Sequence, residues 1–150
     1  MTTCDLFDLT GRTAIITGGS RGLGQQMALA FADHGANVVV ASRKAEACAE
    51  VADRLGPQVL GVPTHMGDLD EVAALADRAA EHFGGIDVVV NNAANALAQT
   101  AGSFTPEAWA KSFDVNLRGP VFLVQAALPH LERSEHAAVL NVISAGAFIF

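Results

Sequence analysis

A glycine-rich segment near the N-terminus has the residue types and spacing of a phosphate-binding loop. Residues 17–24 read T-G-G-S-R-G-L-G and follow a short apolar run. Residues without a Cβ let backbone N–H groups approach a pyrophosphate, and the start of the following helix favours its negative charge. A Walker loop needs Gly-Lys-Ser/Thr, whereas Gln25 and Gln26 follow Gly24. The segment therefore predicts dinucleotide binding, with a glycine-rich turn of purely structural role as the alternative.

The end of the second predicted strand indicates which dinucleotide is preferred. In Rossmann domains a carboxylate about 20 residues after the loop binds the ribose 2′-hydroxyl of NAD, whereas arginine accommodates the 2′-phosphate of NADP. Here Ser42 occupies the carboxylate's place and Arg43 follows it. Arg21, inside the loop, can reach the same phosphate, and two guanidinium groups suit a dianion. We expect NADP(H) to be preferred over NAD(H), unless Arg43 and Lys44 are only a solvated helix start.

Alternating strands and helices must position these residues. Short β-branched runs alternate with longer segments of helical periodicity, which predicts βαβ units. Continuously apolar runs, such as residues 38–40 and 88–90, suit a parallel sheet covered by helices on both faces. The predicted fold class is therefore α/β, a Rossmann-type doubly wound parallel sheet in three α/β/α layers. The predicted strands are residues 13–17, 37–41, 59–62, 87–90 and 138–143.

A longer helical segment is predicted between the last two strands. Thr105 reads as an N-cap with Pro106 at the first helical position, and the segment runs to about Leu131. Gly119 and Pro120 interrupt it, because proline removes a backbone donor and clashes with the preceding turn. We expect two helices here.

Composition indicates a globular chain and argues against several partner classes. Hydrophobic residues make up 51% of the 150 residues and charged residues 17%, which excludes a disordered composition and fits one domain over residues 1–150. The formal net charge of -7, with only nine Lys and Arg, argues against a nucleic-acid partner. No apolar run reaches the length of a membrane span, and the N-terminus does not resemble a signal peptide.

The two cysteines, Cys4 and Cys48, lie far apart and lack the spacing of metal ligands. We therefore expect neither a metal site nor a disulfide, and a cytoplasmic location.

Five motifs, in order along the chain, resemble the short-chain dehydrogenase/reductase family. They are T-G-x-x-x-G-x-G at 17–24, M-G-D-L at 66–69, N-N-A-A at 91–94, F-D-V-N-L-R-G-P at 113–120 and N-V-I-S-A-G at 141–146. Alanine at 94 replaces the family's glycine, which puts a Cβ beside the cofactor. Together with the second-strand reading, the resemblance assigns cofactor binding to Gly18, Ser20, Arg21, Gly22, Leu23, Gly24, Ser42, Arg43, Asp68, Leu69, Asn92, Ala93 and Ala94.

The resemblance also implies roles for single side chains. Asp68 would bind the adenine amino group, Asn116 would help to hold a water in the proton relay, and Ser144 would hydrogen-bond the substrate carbonyl. Each residue has a structural alternative. Asp68 could be a helix N-cap, a role that can coexist with adenine binding. Asn116 could cap the second helical piece, and Ser144 could be a turn residue.

The family's chemistry is hydride transfer between the nicotinamide and a ketone or secondary alcohol (EC 1.1.1 type). The proton comes from a Tyr-x-x-x-Lys motif further along the chain than residue 150, and this sequence contains no tyrosine. We therefore expect a fold truncated after the fifth strand, inactive alone, from a full-length homo-oligomer with a small carbonyl or alcohol substrate. The alternative is a dinucleotide-binding or interaction module without catalysis.

Overall fold

In the computed structural model, which describes residues 5–97 and 99–144, five strands form one parallel sheet of order β3-β2-β1-β4-β5. The predicted fold class is confirmed, and strand bounds differ from the predicted ones by two residues at most. Cys4 and residues 145–150, which include the expected apolar end of the chain, lie outside the described residues. The strands are β1 Thr13–Thr17, β2 Asn37–Ser42, β3 Val59–Pro63, β4 Val88–Asn91 and β5 Ala138–Asn141.

Helices cover both faces of this sheet. Because side chains alternate along a strand, Ile15 and Val89 pack in one cluster with Leu75 and Leu123, whereas Ile16 and Val51 belong to a second cluster on the opposite face. In the described part of the chain, no helix has the length and apolarity needed to cross a membrane. The helices are α1 Gly22–Asp33, α2 Ala45–Leu55, α3 Leu69–Phe83, α4 Pro106–Phe113 and α5 Gly119–Leu131, preceded by a 3-10 turn Asp5–Phe7.

After β3, the chain crosses back over the sheet and adds its later strands on the other side of β1. Strands β1, β2 and β3 follow one another to one side, and β4 and β5 then lie on the other side of β1. The helix after β1 and the helices after β4 pack on opposite faces, which opens a crevice between the carboxyl ends of these two strands. Ligands of open α/β sheets bind at such a switch point.

The long helical segment differs from the prediction at its centre. The break expected at Gly119 and Pro120 is instead a π-helical turn over Asp114–Arg118, and these two residues form the first turn of α5. A Cβ at Gly119 would collide with the carbonyl oxygen of Met66, in the loop after β3. Glycine is therefore required at position 119 for close packing against the loop after β3. The helical segment widens just before it, over Asp114–Arg118, and does not end.

Candidate functional site

A cleft of about 630 Å³ lies at the switch point, over the carboxyl ends of the strands. Its lining comes from the glycine loop, the ends of β2 and β3, the segment after β4, and α4. Of the predicted cofactor-binding residues, it includes Gly18, Ser20, Arg21, Gly22, Leu23, Gly24, Ser42, Arg43, Asn92, Ala93 and Ala94.

The three glycines of the loop are needed for different physical reasons. At Gly22 an added Cβ would meet no other atom, but the φ of +55° is one that residues with a Cβ rarely adopt, so glycine is needed there for its backbone conformation. Gly24 lies in a helix, but a Cβ there would lie 2.5 Å from Asn92 Nδ2 and would meet the Gly18 carbonyl oxygen. Gly18 combines both demands, with a φ of +67° and 3.0 Å between an added Cβ and Asn92 Nδ2. The loop is thus folded tightly against the end of β4.

The start of α1 faces the cleft without a side-chain cap. Arg21 occupies the N-cap position and makes no side-chain capping hydrogen bond, and α1 has no acidic residue in its first turn. The first N–H groups of a helix lack intrahelical acceptors. They form, with the glycine loop, an arrangement suited to an anionic group.

A small hydrogen-bond network locks the ends of β1 and β4 together beneath the cleft. The buried Thr17 hydroxyl donates to the Val90 carbonyl at 3.2 Å and accepts from the N–H groups of Asn92 and Ala93, both at 3.0 Å. The Asn92 amide nitrogen donates to the Thr17 carbonyl at 2.9 Å. The Asn92 side chain thereby ties the end of β4 to the end of β1.

Every formally charged residue in the cleft lining is a cation. Among the described residues no aspartate or glutamate lines it, although the chain as a whole carries a formal net charge of -7. This local excess of positive charge favours a polyanionic ligand. The four cations are Arg21, Arg43, Lys44 and Lys111.

A pair of serines links the loop to the end of β2. The Ser20 hydroxyl donates to the Ser42 hydroxyl at 2.9 Å, between the two arginines predicted to bind phosphate. Ser42 sits where an NAD-binding carboxylate would stand, so this end of the cleft carries hydroxyl and guanidinium groups and no acid.

The end of β3 places different residues in the cleft from those predicted. Thr64, His65 and Met66 line it, whereas Asp68 and Leu69 do not. The Asp68 carboxylate caps α3, accepting from the N–H groups of Asp70 at 3.0 Å and Glu71 at 3.2 Å. The N-cap alternative for Asp68 is thus observed.

Asn116 lies in the π-helical turn and holds the segment after β4. Its side chain accepts from the Asn95 N–H at 2.7 Å and donates to the Asn95 carbonyl at 2.8 Å. Ser112 donates to the same carbonyl at 3.1 Å. Asn95 lines the cleft, so Asn116 acts on the cleft wall through it. Ser144 lies three residues beyond β5 and is outside the cleft lining.

Sequence reasoning missed nine lining residues, of which five bear on the chemistry of the cleft: Thr64, His65, Met66, Asn95 and Lys111. The first three could have been found from their position at the carboxyl end of a parallel strand. Asn95 and Lys111 reach the cleft only through the packing of α4, which no local pattern shows. Within the described ranges, no group of three or more His, Cys, Asp or Glu side chains is arranged to hold a metal ion.

The parallel sheet and the glycine loop at its switch point define a Rossmann-type α/β protein. Residues 12–149 match the family model described as short chain dehydrogenase, and the chain belongs to this family.

Three similar proteins illustrate the relationship. An uncharacterized oxidoreductase of Staphylococcus aureus is 34% identical over 141 residues, which cover 93% of this chain and 61% of the relative. The crystal structure of a short-chain type dehydrogenase/reductase from Mycobacterium marinum has a TM-score of 0.91 at 32% identity and is matched over 100% of this chain and 62% of its own. A 3-ketoacyl-(acyl-carrier-protein) reductase from Brucella melitensis, complexed with NADH, has a TM-score of 0.88 at 33% identity, over 93% of this chain and 60% of its own. The chain thus spans about three fifths of their lengths.

Proposed function

We propose that this chain binds NADP(H), in preference to NAD(H), as the cofactor-binding part of an oxidoreductase acting on a ketone or secondary alcohol. The observation that carries the proposal is the cleft at the switch point, whose charged lining residues are all cations. A nicotinamide dinucleotide with a 2′-phosphate has one more anionic group than NAD, so it would form more favourable interactions with the cationic lining residues. Family membership and the NADH bound to the Brucella melitensis relative support the nicotinamide part.

The residues of the cleft fit such a cofactor in size and chemistry. A Cβ at Gly18 or Gly24 would fill the space where the loop closes on β4, and the uncapped start of α1 offers N–H groups to a pyrophosphate. Arg43 and Arg21 would bind the 2′-phosphate as charge-assisted hydrogen-bond donors. Bound in this way, the nicotinamide would supply or accept a hydride.

Two further residues would serve the chemical step. Ser144 would donate a hydrogen bond to the substrate oxygen. Asn116 would keep the cleft wall in place by holding both backbone groups of Asn95, at 2.7 and 2.8 Å. In this proposal the single domain is residues 1–150, and the complete protein is a cytoplasmic homo-oligomer.

Substitution of Arg43 tests the cofactor preference. We expect Arg43→Ala to weaken NADPH binding about tenfold or more, because a hydrogen bond to a charged group contributes roughly 1.5–3 kcal/mol. NADH binding should change little, since NADH lacks the 2′-phosphate. Nicotinamide fluorescence measures both affinities, and the melting temperature checks that each variant is folded. Ser42→Asp, made in addition to Arg43→Ala, should shift the preference further toward NADH, because a carboxylate at this position binds the ribose 2′-hydroxyl and repels a 2′-phosphate.

Arg54→Ala is the matched control, because Arg54 lies in the last turn of α2 and does not line the cleft. This variant should bind both nucleotides like the unmodified chain. Equal weakening of NADPH and NADH by Arg43→Ala, or no weakening of either, would contradict the assignment of Arg43 to the 2′-phosphate.

A further inference from the structure

The loop after β3 is held in place from outside the cleft. Thr64, His65 and Met66 line the cleft, and the next residue, Gly67, is already outside the lining. The Gly67 carbonyl accepts a hydrogen bond from Arg118 Nη2 at 3.2 Å, across 51 positions of the sequence. Because loops are more mobile than the elements they connect, the contacts that hold this loop determine how well it serves as a cleft wall.

Arg118 is itself fixed by an ion pair within the π-helical turn. Its Nε lies 3.1 Å from Asp114 Oδ1, one turn earlier, so two different nitrogens of one planar guanidinium bind two partners. Neither Arg118 nor Asp114 lines the cleft. The rigid fork of the guanidinium sets the position of the Gly67 carbonyl relative to the π-helical turn.

Close packing holds the same loop at a second point. A Cβ at Gly119, the residue after Arg118, would collide with the Met66 carbonyl oxygen. The carbonyls of Met66 and Gly67, neighbours in the loop, are thus held by neighbouring residues of the helical segment. Gly119 lets the loop approach the helix closely, and Arg118 fixes the next carbonyl along the loop.

The π-helical turn also holds a second wall of the cleft. Asn116 binds both backbone groups of Asn95, which lies in the segment after β4 and lines the cleft. The walls that follow β3 and β4 are therefore both attached to the five residues Asp114–Arg118. A ligand that contacts both walls binds best when the spacing of the walls is fixed before it arrives.

We propose that Arg118 is a positioning residue of the cofactor cleft, which joins the loop after β3 to the π-helical turn and so maintains the spacing of the two walls. It does not contact the cofactor and acts through the Gly67 carbonyl. The inference rests on the proposed function, because it concerns the binding of a nicotinamide dinucleotide in this cleft. It gives a role in binding to two residues outside the cleft lining, Arg118 and Asp114.

The experiment measures the affinities of NADPH and NADH for the unmodified chain and for Arg118→Ala by nicotinamide fluorescence. Without the guanidinium the loop is in place for a smaller fraction of the time, and the apparent affinity falls by that fraction. We expect a loss of about fivefold for both nucleotides, the value of one exposed ion pair and one hydrogen bond together. An equal loss distinguishes Arg118 from Arg43, whose substitution should weaken NADPH alone.

Two further variants separate positioning from simple attraction between Arg118 and an anionic cofactor. Asp114→Ala removes a negative charge and also the anchor of the guanidinium. Attraction predicts tighter binding of both nucleotides by this variant, whereas positioning predicts binding that is weaker by about threefold. Arg118→Lys keeps the charge, but a single ammonium group does not replace the two-nitrogen fork, so its affinity should also fall.

Hydrogen exchange locates the effect, and a matched arginine controls for the loss of surface charge. In Arg118→Ala the Asp68 N–H, which donates to the His65 carbonyl at 2.8 Å within the loop, should exchange faster, with unchanged exchange in β1. Arg133→Ala removes an exposed arginine that makes a hydrogen bond to His130 at 3.0 Å, away from the cleft lining. This variant should bind both nucleotides like the unmodified chain. The melting temperature checks that each variant is folded.

Unchanged affinity in Arg118→Ala, or a loss restricted to NADPH, would overturn the inference. Tighter binding by Asp114→Ala, full affinity in Arg118→Lys, or an equal loss in Arg133→Ala would do the same. These outcomes leave the proposed function intact, since the unmodified chain still binds NADPH. Absence of NADPH binding by the folded, unmodified chain would overturn the proposed function, and this inference with it.

Discussion

Strands β4 and β5 are paired in register but lie in opposite environments. Val89 of β4 faces Val139 of β5 across the ladder; the first is 0% exposed and the second 44%. Both strands are rich in apolar residues; among the described residues β4 pairs with β1 and β5, whereas β5 pairs with β4 alone. The difference shows that an apolar sequence and a paired backbone are not sufficient to bury a side chain. Burial requires elements packed on both faces, which β4 has and β5 lacks within the described residues.

The same contrast holds at the carboxyl ends, where the function resides. The end of β4 is joined to β1 through Thr17 and to the π-helical turn through Asn95. The end of β5 is joined to β4 by one side-chain hydrogen bond, from Asn91 Nδ2 to Asn141 Oδ1 at 2.9 Å. The buried Asn91 Oδ1 has no hydrogen-bond partner among the described residues. The described cleft lining accordingly includes residues that follow β4 and none that follow β5.

The largest expected effect comes from truncating the buried member of the β4–β5 pair. Val89→Ala should lower the free energy of unfolding by about 2–3 kcal/mol, because it removes buried methyl groups and leaves a cavity. Val139→Ala, at the paired position, should cost less than about 1 kcal/mol, since its side chain is 44% exposed. Urea denaturation of the two variants measures both values. Equal losses would mean that β5 is covered as completely as β4.

A smaller effect is expected at the junction of β1 and β4. Thr17→Val preserves the shape of the side chain but leaves the Asn92 and Ala93 N–H groups without their acceptor, at a cost of about 2 kcal/mol. Thr17→Ser keeps the hydroxyl and should retain most of the stability. Equal stability of Thr17→Val and the unmodified chain would show that the hydroxyl network does not hold the cleft floor.

The smallest of the three effects is expected at Asn116. Asn116→Leu removes the two hydrogen bonds to Asn95, and because the site is exposed we expect about 1 kcal/mol of destabilisation. Ser112→Ala, which removes one hydroxyl contact with the same residue, is the comparison variant and should cost less. Faster hydrogen exchange of the Asn95 N–H in Asn116→Leu, with unchanged exchange in β1, would support a local clamp. Uniformly faster exchange would instead indicate a general loss of stability.

Much of the fold could be predicted from the sequence because its signals are local. β-Branched runs and helical periodicity identified five strands and their helices, and glycine spacing identified the loop at the switch point. The cleft floor was also accessible, since Asn92 and Ala93 directly follow a buried strand. Where a residue's place depends on its immediate neighbours, the sequence was sufficient.

The remaining features depend on contacts between distant segments. Asp68 has the pattern of both an N-cap and a ligand, and the sequence alone does not show that its side chain lies outside the cleft lining. The close packing of Gly119 could not be predicted either, because it is against the carbonyl of Met66, which is distant in sequence. Lys111 lines the cleft because α4 lies across it, a placement that no periodicity encodes.

The most direct test of the central claim is a titration of the unmodified chain with NADPH and with NADH, followed by nicotinamide fluorescence and by the melting temperature. We predict saturable binding of both nucleotides, tighter for NADPH, with the melting temperature rising as ligand stabilises the folded state. Binding of neither nucleotide by a folded chain, or tighter binding of NADH, would contradict the account of the cationic cleft.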